Sequence, residues 1–140
     1  MHYLDTSVII TFLTEEDGTE AVRSWIDAQP EGTLAISDWV IAEVPSALSI
    51  KVRTGALPIE QRNEVAAMWH GTFINTFVRI AVASNDFDTA GQMAGNHRLS
   101  LRAGDALHIA IARSSGCALV TLDKRMAAAA LELGVPVAEI

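Results

Sequence analysis

Short apolar segments alternate with longer segments of helical periodicity along most of this chain, and that alternation constrains the fold more than any other feature. Four segments have the length and apolar character of β-strands: residues 2–5, 33–36, 78–82 and 118–122. Helices are predicted from Thr6 or Ser7 onward, either of which is a suitable N-cap, and over residues 15–29, 38–53, 58–75, 84 onward, 101–113 and 124–133. Strands joined through helices pair in parallel, so the sequence predicts an α/β fold with a central, mostly parallel sheet of four to five strands.

The size and composition of the chain predict a single domain over residues 1–140. Half of the 140 residues are hydrophobic, which is enough to form one core. No apolar run approaches the ~18 residues that a membrane-spanning helix needs, and residues 1–4 do not resemble a secretion signal, so a cytoplasmic protein without membrane contact is expected. The net charge of −7 argues against a broad basic surface for nucleic acid. It remains compatible with a nuclease whose site is rich in carboxylates, and with a basic protein partner.

Four acidic residues occupy positions where a parallel sheet presents its binding edge. Asp5 and Asp123 each end a predicted strand, Asp105 lies in the first turn of a predicted helix, and Glu43 lies early in another that also contains Pro45. Ligands of such sheets bind beyond the carboxyl ends of the strands, so the four acids can meet there. Carboxylates about 5 Å apart repel by roughly 3 kcal/mol per pair at an effective dielectric near 20, so the cluster predicts a cation. Oxygen ligands alone favour Mg²⁺, with Mn²⁺ as a substitute. Pro45 is expected to cause a kink or an irregular first turn near Glu43.

Each of these acids also has a purely structural explanation. Asp5 is suited to cap the helix that follows it, and Asp105 and Asp123 place negative charge at helix N-termini, which is favourable by itself. Glu43 fits a solvated position on an amphipathic helix. His108 follows Asp105 by three residues and is expected to pack beside the acids, not to ligate a metal, since no second histidine stands at ligand spacing.

Three basic residues flank the acidic motifs: Arg102, Lys124 and Arg125. Contacts with RNA phosphates or with the carboxylates of a protein partner are one interpretation, and exposed charges at helix starts are the other.

The acidic motifs, in their order and spacing, resemble those of one protein family. Tyr-Leu-Asp-Thr-Ser at residues 3–7, Glu43, Leu-Arg-Ala-Gly-Asp-Ala-Leu-His-Ile-Ala at 101–110 and Val-Thr-Leu-Asp-Lys-Arg at 120–125 are similar to the motifs of PIN-domain ribonucleases. The closest resemblance is to the VapC-like toxins of VapBC toxin–antitoxin modules. It covers nearly the whole chain, although Pro45 departs from the commoner sequence after the mid-chain glutamate.

The resemblance implies a three-layer α/β/α domain and an endoribonuclease that depends on Mg²⁺ or Mn²⁺. Such a toxin hydrolyses phosphodiester bonds in cellular RNA, is inhibited by a cognate VapB-like antitoxin, and is usually a homodimer. Its catalytic and metal-binding acids would be Asp5, Glu43, Asp105 and Asp123. Hydroxyls beside them are expected to orient a carboxylate or a bound water, namely those of Thr6, Ser7 and Thr121.

Other functions are compatible with parts of the pattern. A PIN nuclease of RNA maturation or decay would carry the same acids. A phosphatase of the haloacid-dehalogenase type needs a second aspartate two residues after the first, where this chain has Ser7. A receiver-like signalling domain gathers acids around Mg²⁺ but leaves Asp105 unexplained, and a protein-interaction domain without catalysis would not need all four acids.

Overall fold

The computed structural model describes all 140 residues and contains four strands, seven α-helices and one 3₁₀ helix. The strands are β1 (His2–Leu4), β2 (Leu34–Ser37), β3 (Val78–Ile80) and β4 (Ala118–Val120). The helices are α1 (Thr6–Leu13), α2 (Thr19–Asp27), α3 (Asp38–Arg53), α4 (Ile59–Gly71), α5 (Ser84–Gly95), α6 (Ala103–Ser115) and α7 (Lys124–Glu132), with the 3₁₀ helix at Phe73–Asn75.

All four strands are parallel and lie in the order β3-β2-β1-β4. Tyr3 of β1 pairs with Ala35 of β2 on one side and with Leu119 of β4 on the other, so β1 and β4 are neighbours although 113 residues separate Leu4 from Ala118. The prediction of an α/β fold with a four- to five-stranded parallel sheet is confirmed. Because β1 and β4 run in the same direction, the residues that follow both strands reach the same edge of the sheet.

The helices form two groups that cover the sheet. In the first group α1 contacts α2 and α3, and α3 contacts α4. In the second group α6 contacts α5 and α7. The central strands are buried between them, and all four residues of β2 are buried. One hydrophobic cluster of 33 buried residues runs through the whole molecule. None of the helices combines the length and hydrophobicity that a membrane crossing requires.

Several predicted boundaries differ from the structure. Asp5, not Thr6 or Ser7, is the N-cap of α1, because its carboxylate accepts the backbone N–H of Val8. Helix α2 begins at Thr19, not at residue 15, since Glu16 takes part in a turn in which its backbone N–H donates to the Thr19 hydroxyl.

Pro45 and the C-terminal residues also have defined places. Helix α3 is continuous from Asp38 to Arg53, so Pro45 neither divides it nor unwinds its first turn. Beyond α7, Val137 forms only an isolated parallel bridge with Leu119, and the sheet therefore has four strands and not a fifth.

Candidate functional site

The structure brings the four predicted acids to the wall of one cleft at the carboxyl edge of the sheet. Asp5 follows β1, Asp123 follows β4 after a short turn, Glu43 lies in the second turn of α3, and Asp105 lies in the first turn of α6. Thr6, Ser7, Ser46, Ala47, Ile50, His108 and Met126 complete the lining. The helices that connect the parallel strands return the chain to the same direction each time. The residues that follow the strands therefore lie at the same edge of the sheet.

Asp5 is the most enclosed of the acids, with only 1% of its surface exposed. Its Oδ1 accepts hydrogen bonds from Ser7 Oγ at 2.6 Å and from the Val8 N–H at 3.1 Å, and its Oδ2 accepts one from Thr121 Oγ1 at 2.6 Å. A carboxylate offers about four lone-pair positions, so one acceptor position remains. The side chain is thus fixed in direction by α1 and by the turn after β4.

The turn after β4 links the Asp5 carboxylate to the backbone of Asp123. Thr121 Oγ1 accepts the backbone N–H of Asp123 at 3.0 Å while donating to Asp5, and Ser7 Oγ accepts the backbone N–H of Leu122 at 3.0 Å. Asp123 caps α7 through Oδ1, which accepts the Arg125 and Met126 N–H groups at 2.8 and 3.1 Å. Its Oδ2 accepts no hydrogen bond and is available to the cleft.

Glu43 is held through one oxygen by two donors. Thr6 Oγ1 donates a short hydrogen bond to Oε2, and His108 Nε2 lies 2.7 Å from the same oxygen. Burial by itself would raise the pKa of Glu43, but the contacts with His108 and Thr6 outweigh it and hold the pKa below its usual range. Glu43 is therefore ionised and directed at neutral pH, although 29% of its side chain is exposed.

Asp105 has the opposite electrostatic environment. Its carboxylate takes no hydrogen bond from another side chain, and burial followed by the charge of Asp123 raises its pKa above the usual range. A carboxylate that is destabilised by its neighbours gains the most when a cation arrives, because the cation removes the repulsion. Asp105 and Asp123 are therefore the acids whose charges are least stabilised when no cation is bound.

The donor set fits a hydrated, hard divalent cation. No group of three or more His, Cys, Asp or Glu side chains is arranged so that it could hold a metal ion by itself. Mg²⁺ does not require one, since it usually binds one or two carboxylates and completes its octahedron with water and substrate phosphate. The cleft supplies carboxylate oxygens without cysteine, and its only imidazole, that of His108, is engaged with Glu43. The oxygen donors of the cleft are of the kind that hard divalent cations prefer.

The flanking cations are free to meet an anion. Arg102, Lys124 and Arg125 are exposed, and none of them forms a salt bridge. Arg102 is the N-cap of α6 and Lys124 begins α7, so these basic side chains start from the same two helix termini that carry Asp105 and Asp123.

Sequence reasoning missed two residues that act on the cluster. Tyr3 and Ser37 are both inaccessible and hydrogen-bonded to each other, and Tyr3 also reaches His108. A usable signal was present, because Tyr3 precedes Asp5 by two residues and Ser37 ends β2 at the edge of the sheet where the acids lie.

Comparison with known proteins gives one family and several structures. The family model described as "PIN domain" matches residues 2–132. A comparison with curated proteins finds no significant match. The FitAcB structure from Neisseria gonorrhoeae is similar with a TM-score of 0.73 and 20% identity, covering 99% of this chain and 97% of that one.

Two further structures come from other bacteria. Mycobacterium tuberculosis VapC20, described as a sarcin-ricin loop cleaving toxin, has a TM-score of 0.71 and 17% identity over 92% of this chain and 95% of its own. VapBC2 from Rickettsia felis, bound to a DNA fragment from its promoter, has a TM-score of 0.58 and 18% identity over 86% of each chain. At these identities the structures establish a shared fold.

Proposed function

The chain belongs to the PIN-domain family, and from that premise we propose that it is an endoribonuclease dependent on Mg²⁺ or Mn²⁺ that acts as the toxin of a type II toxin–antitoxin module. The observation that carries the proposal is the lining of one cleft by four carboxylates, two of which, Asp105 and Asp123, repel each other. Such a cleft is unfavourable to any anion until a cation is bound. A phosphodiester can enter it only together with that cation.

Each acid has a distinct part in the proposed reaction. Asp5 is immobilised by three hydrogen bonds and would provide the fixed ligand, while Asp105 and Asp123 offer oxygens that other side chains leave free. Glu43 is ionised and oriented, which suits it to hold a water or to accept its proton. The cation, when bound, lowers the pKa of a water and stabilises charge on the scissile phosphate and the leaving oxygen.

The surrounding residues would align the substrate and its waters. Thr6, Ser7 and Thr121 each donate a hydrogen bond to a cluster carboxylate, so they orient the acids. Arg102, Lys124 and Arg125 are unpaired and exposed at the rim, where they would contact phosphates on either side of the cut.

The toxin assignment and the partners are supported by the fold and the charge. Similar structures include the toxin–antitoxin complex from Klebsiella pneumoniae, at 20% identity with a TM-score of 0.57, and VapBC2. A net charge of −7 and an acidic cleft suit a VapB-like antitoxin with basic residues. We include a homodimer and a cytoplasmic location in the proposal.

The catalytic proposal is tested by cleavage of a pool of structured cellular RNAs by purified protein with Mg²⁺, Mn²⁺ or EDTA. Asp105→Asn is the informative variant, because Asp105 supports no side-chain hydrogen bond and its loss should leave the fold intact. Asp88→Asn, an exposed aspartate outside the cleft, is the matched control. We expect metal-dependent cuts by the wild type and by Asp88→Asn, and none by Asp105→Asn. Absence of cleavage by the wild type in every metal would leave a protein-interaction domain as the better account.

The toxin assignment needs a cellular test. Cells that produce the wild type without a partner should stop growing, and cells that produce Asp105→Asn should continue. Normal growth in both, with purified protein that cleaves RNA, would favour a nuclease of RNA maturation or decay over a toxin.

A further inference from the structure

A buried chain of hydrogen bonds ends on Glu43. Tyr3 Oη lies 2.7 Å from Ser37 Oγ and 2.8 Å from His108 Nδ1, and His108 Nε2 lies 2.7 Å from Glu43 Oε2. Tyr3 and Ser37 are 0% exposed and His108 is 2% exposed. The chain joins three elements, β1, the end of β2 and α6, to a carboxylate on α3.

One arrangement of hydrogens satisfies every group in this chain. The Glu43 carboxylate can only accept, so Nε2 of His108 carries a hydrogen, and in this arrangement Nδ1 accepts the Tyr3 hydroxyl. Tyr3 Oη then accepts the Ser37 hydroxyl, whose oxygen in turn accepts the Val40 N–H at 3.4 Å. If Tyr3 donated to Ser37 instead, the buried Ser37 hydroxyl hydrogen would have no acceptor.

Tyr3 is placed to donate within this chain. Its hydroxyl is 0% exposed and lies 2.7 Å from Ser37 Oγ and 2.8 Å from His108 Nδ1. With the Ser37 hydrogen directed to Tyr3 Oη, the Tyr3 hydrogen is directed to Nδ1, which corresponds to the Nε2–H tautomer of the histidine.

The opposite side of Glu43 is bounded by a close backbone approach. A Cβ atom at Gly104 would lie 3.3 Å from Glu43 Oε1 and 3.4 Å from the indole ring of Trp39. Glycine at this position lets the first turn of α6 pass against the carboxylate. Glu43 is thus held by donors on Oε2, with the first turn of α6 close to Oε1.

We propose that Tyr3 and His108 are positioning residues for the reaction, fixing the tautomer and direction of a hydrogen bond that holds Glu43 in one orientation over the cleft. This inference rests on the proposed nuclease function, because it assigns the network a purpose in that reaction. It does not place Tyr3 or His108 in contact with substrate.

The network itself is tested without any RNA. Long-range ¹H–¹⁵N spectra distinguish the two tautomers of a histidine, and His108 of the wild type should show the Nε2–H form. In Tyr3→Phe that preference should weaken, since Nδ1 loses its donor. A His108 ring in the Nδ1–H form in the wild type would overturn the inference.

The consequence for the site is measured by Mn²⁺ affinity and by single-turnover cleavage. Loss of a hydrogen bond that orients a metal-site ligand typically lowers affinity or activity about 10- to 100-fold, and we expect this range for His108→Leu and its lower end for Tyr3→Phe. The rate constant should fall while the apparent KM for RNA stays within about twofold, since the substrate does not touch either residue.

Conservative and control variants separate positioning from folding. His108→Gln keeps an N–H donor that can reach Glu43 and should retain more activity than His108→Leu, whereas His97→Gln, in an exposed turn, should match the wild type. In a Glu43→Gln background, Tyr3→Phe should cause no further loss. All assays are run well below the melting temperature of the least stable variant.

The outcomes distinguish this inference from the proposed function. If the wild type cleaves RNA and His108→Leu and Tyr3→Phe cleave as fast, the positioning role is refuted and the nuclease stands. If the wild type does not cleave RNA, the proposed function fails, and the tautomer and the Mn²⁺ affinities of the variants still decide whether the network orients Glu43.

Discussion

Replacing Asp105 by asparagine should stabilise the metal-free protein while removing its response to Mg²⁺. Asp105 takes no hydrogen bond from another side chain, and burial together with the charge of Asp123 raises its pKa. The N-terminus of α6 favours a carboxylate by about 0.3–1 kcal/mol. The raised pKa means that burial and repulsion outweigh this favourable contribution, so the charge is a net cost to the fold.

The size of that cost follows from the exposure of the group. Two charges about 5 Å apart repel by about 3 kcal/mol at an effective dielectric of about 20 and by about 0.8 kcal/mol in bulk water. Asp105 is partly exposed, so solvent screening places the repulsion near the lower figure. After the helix contribution of about 0.3–1 kcal/mol is subtracted, only a small net cost remains, so Asp105→Asn should raise the free energy of unfolding by at most about 0.5 kcal/mol, or at most about 2 °C in a domain of this size.

Added metal should reverse the order of the two proteins. At a free Mg²⁺ concentration ten times its dissociation constant, the wild type gains about 1.4 kcal/mol, a rise of roughly 4–5 °C in melting temperature. Asp105→Asn should gain much less, because it has lost the carboxylate whose repulsion the cation relieves. Thermal unfolding in EDTA and across a Mg²⁺ titration measures both effects, with Asp88→Asn as the control.

The pH dependence gives an independent check on the sign. The pKa of Asp105 is higher in the folded protein than in the unfolded chain, so the folded protein binds a proton on Asp105 more tightly. The destabilisation by the Asp105 charge therefore appears as the pH rises through the raised pKa, and it is absent below the usual pKa range of aspartate. The stability difference between Asp105→Asn and the wild type should therefore be present at pH 7 and vanish in acid. A variant less stable than the wild type in EDTA at pH 7, or one with an equal gain from Mg²⁺, would refute the reasoning.

Substitutions at three other positions test separate parts of the molecule. Burial raises the pKa of Glu16, but Lys51 at 2.6 Å and two threonine hydroxyls outweigh burial and lower the pKa overall. Glu16 therefore stabilises the fold at pH values above its pKa in the unfolded chain. That stability is lost as the pH falls through its pKa in the folded protein. Lys51→Met should therefore cost about 0.5–1 kcal/mol in urea unfolding at pH 7 and almost nothing at the acid end of that window; a loss independent of pH would contradict the assignment. Asp5→Ala removes an N-cap and leaves buried donors unpaired, so it should lower the free energy of unfolding by about 3–5 kcal/mol. Asp5→Asn should lower it by only about 1–2 kcal/mol. Similar losses for both variants would show that the hydrogen bonds of Asp5 contribute little. Gly104→Ala should keep or raise the melting temperature, since alanine is favoured over glycine in helices by about 1 kcal/mol. It should nevertheless lower RNA cleavage severalfold, because the added Cβ would lie against Glu43. Unchanged cleavage would show that Glu43 moves aside freely.

Much of the fold was predictable because its signals are local and repeated. Apolar strands separated by amphipathic helices favour parallel pairing. The apolar run at residues 118–122 has the length and composition of a strand, and it contains β4. The start of α2 was not predictable from periodicity, because Gly18 adopts a positive φ of 88° and Glu16 turns back to Lys51 of α3. That contact depends on tertiary packing, which no local pattern contains.

The acids of the cleft could be found from sequence for a topological reason. Asp5 and Asp123 follow strands that lie side by side, so identifying the strand ends is sufficient to place both residues at one edge. The network on Glu43 could not be found in this way. Its members are 34 and 105 residues apart in sequence, and their contact requires the relative rotation of β1, β2 and α6, which the pattern of apolar residues does not specify.

Capping and function, which appear as competing explanations in the sequence, are compatible in the structure because a carboxylate has two oxygens. Asp123 caps α7 with Oδ1 and leaves Oδ2 free of hydrogen bonds, and Asp5 caps α1 with Oδ1 while Oδ2 accepts from Thr121. The cap fixes the direction of the second oxygen before any cation arrives, so little side-chain entropy is lost on binding. A helix N-terminus also lowers the cost of concentrating negative charge at the cleft. Helix capping is therefore part of how this fold maintains an acidic cluster, and it does not count against a functional role for the same residues.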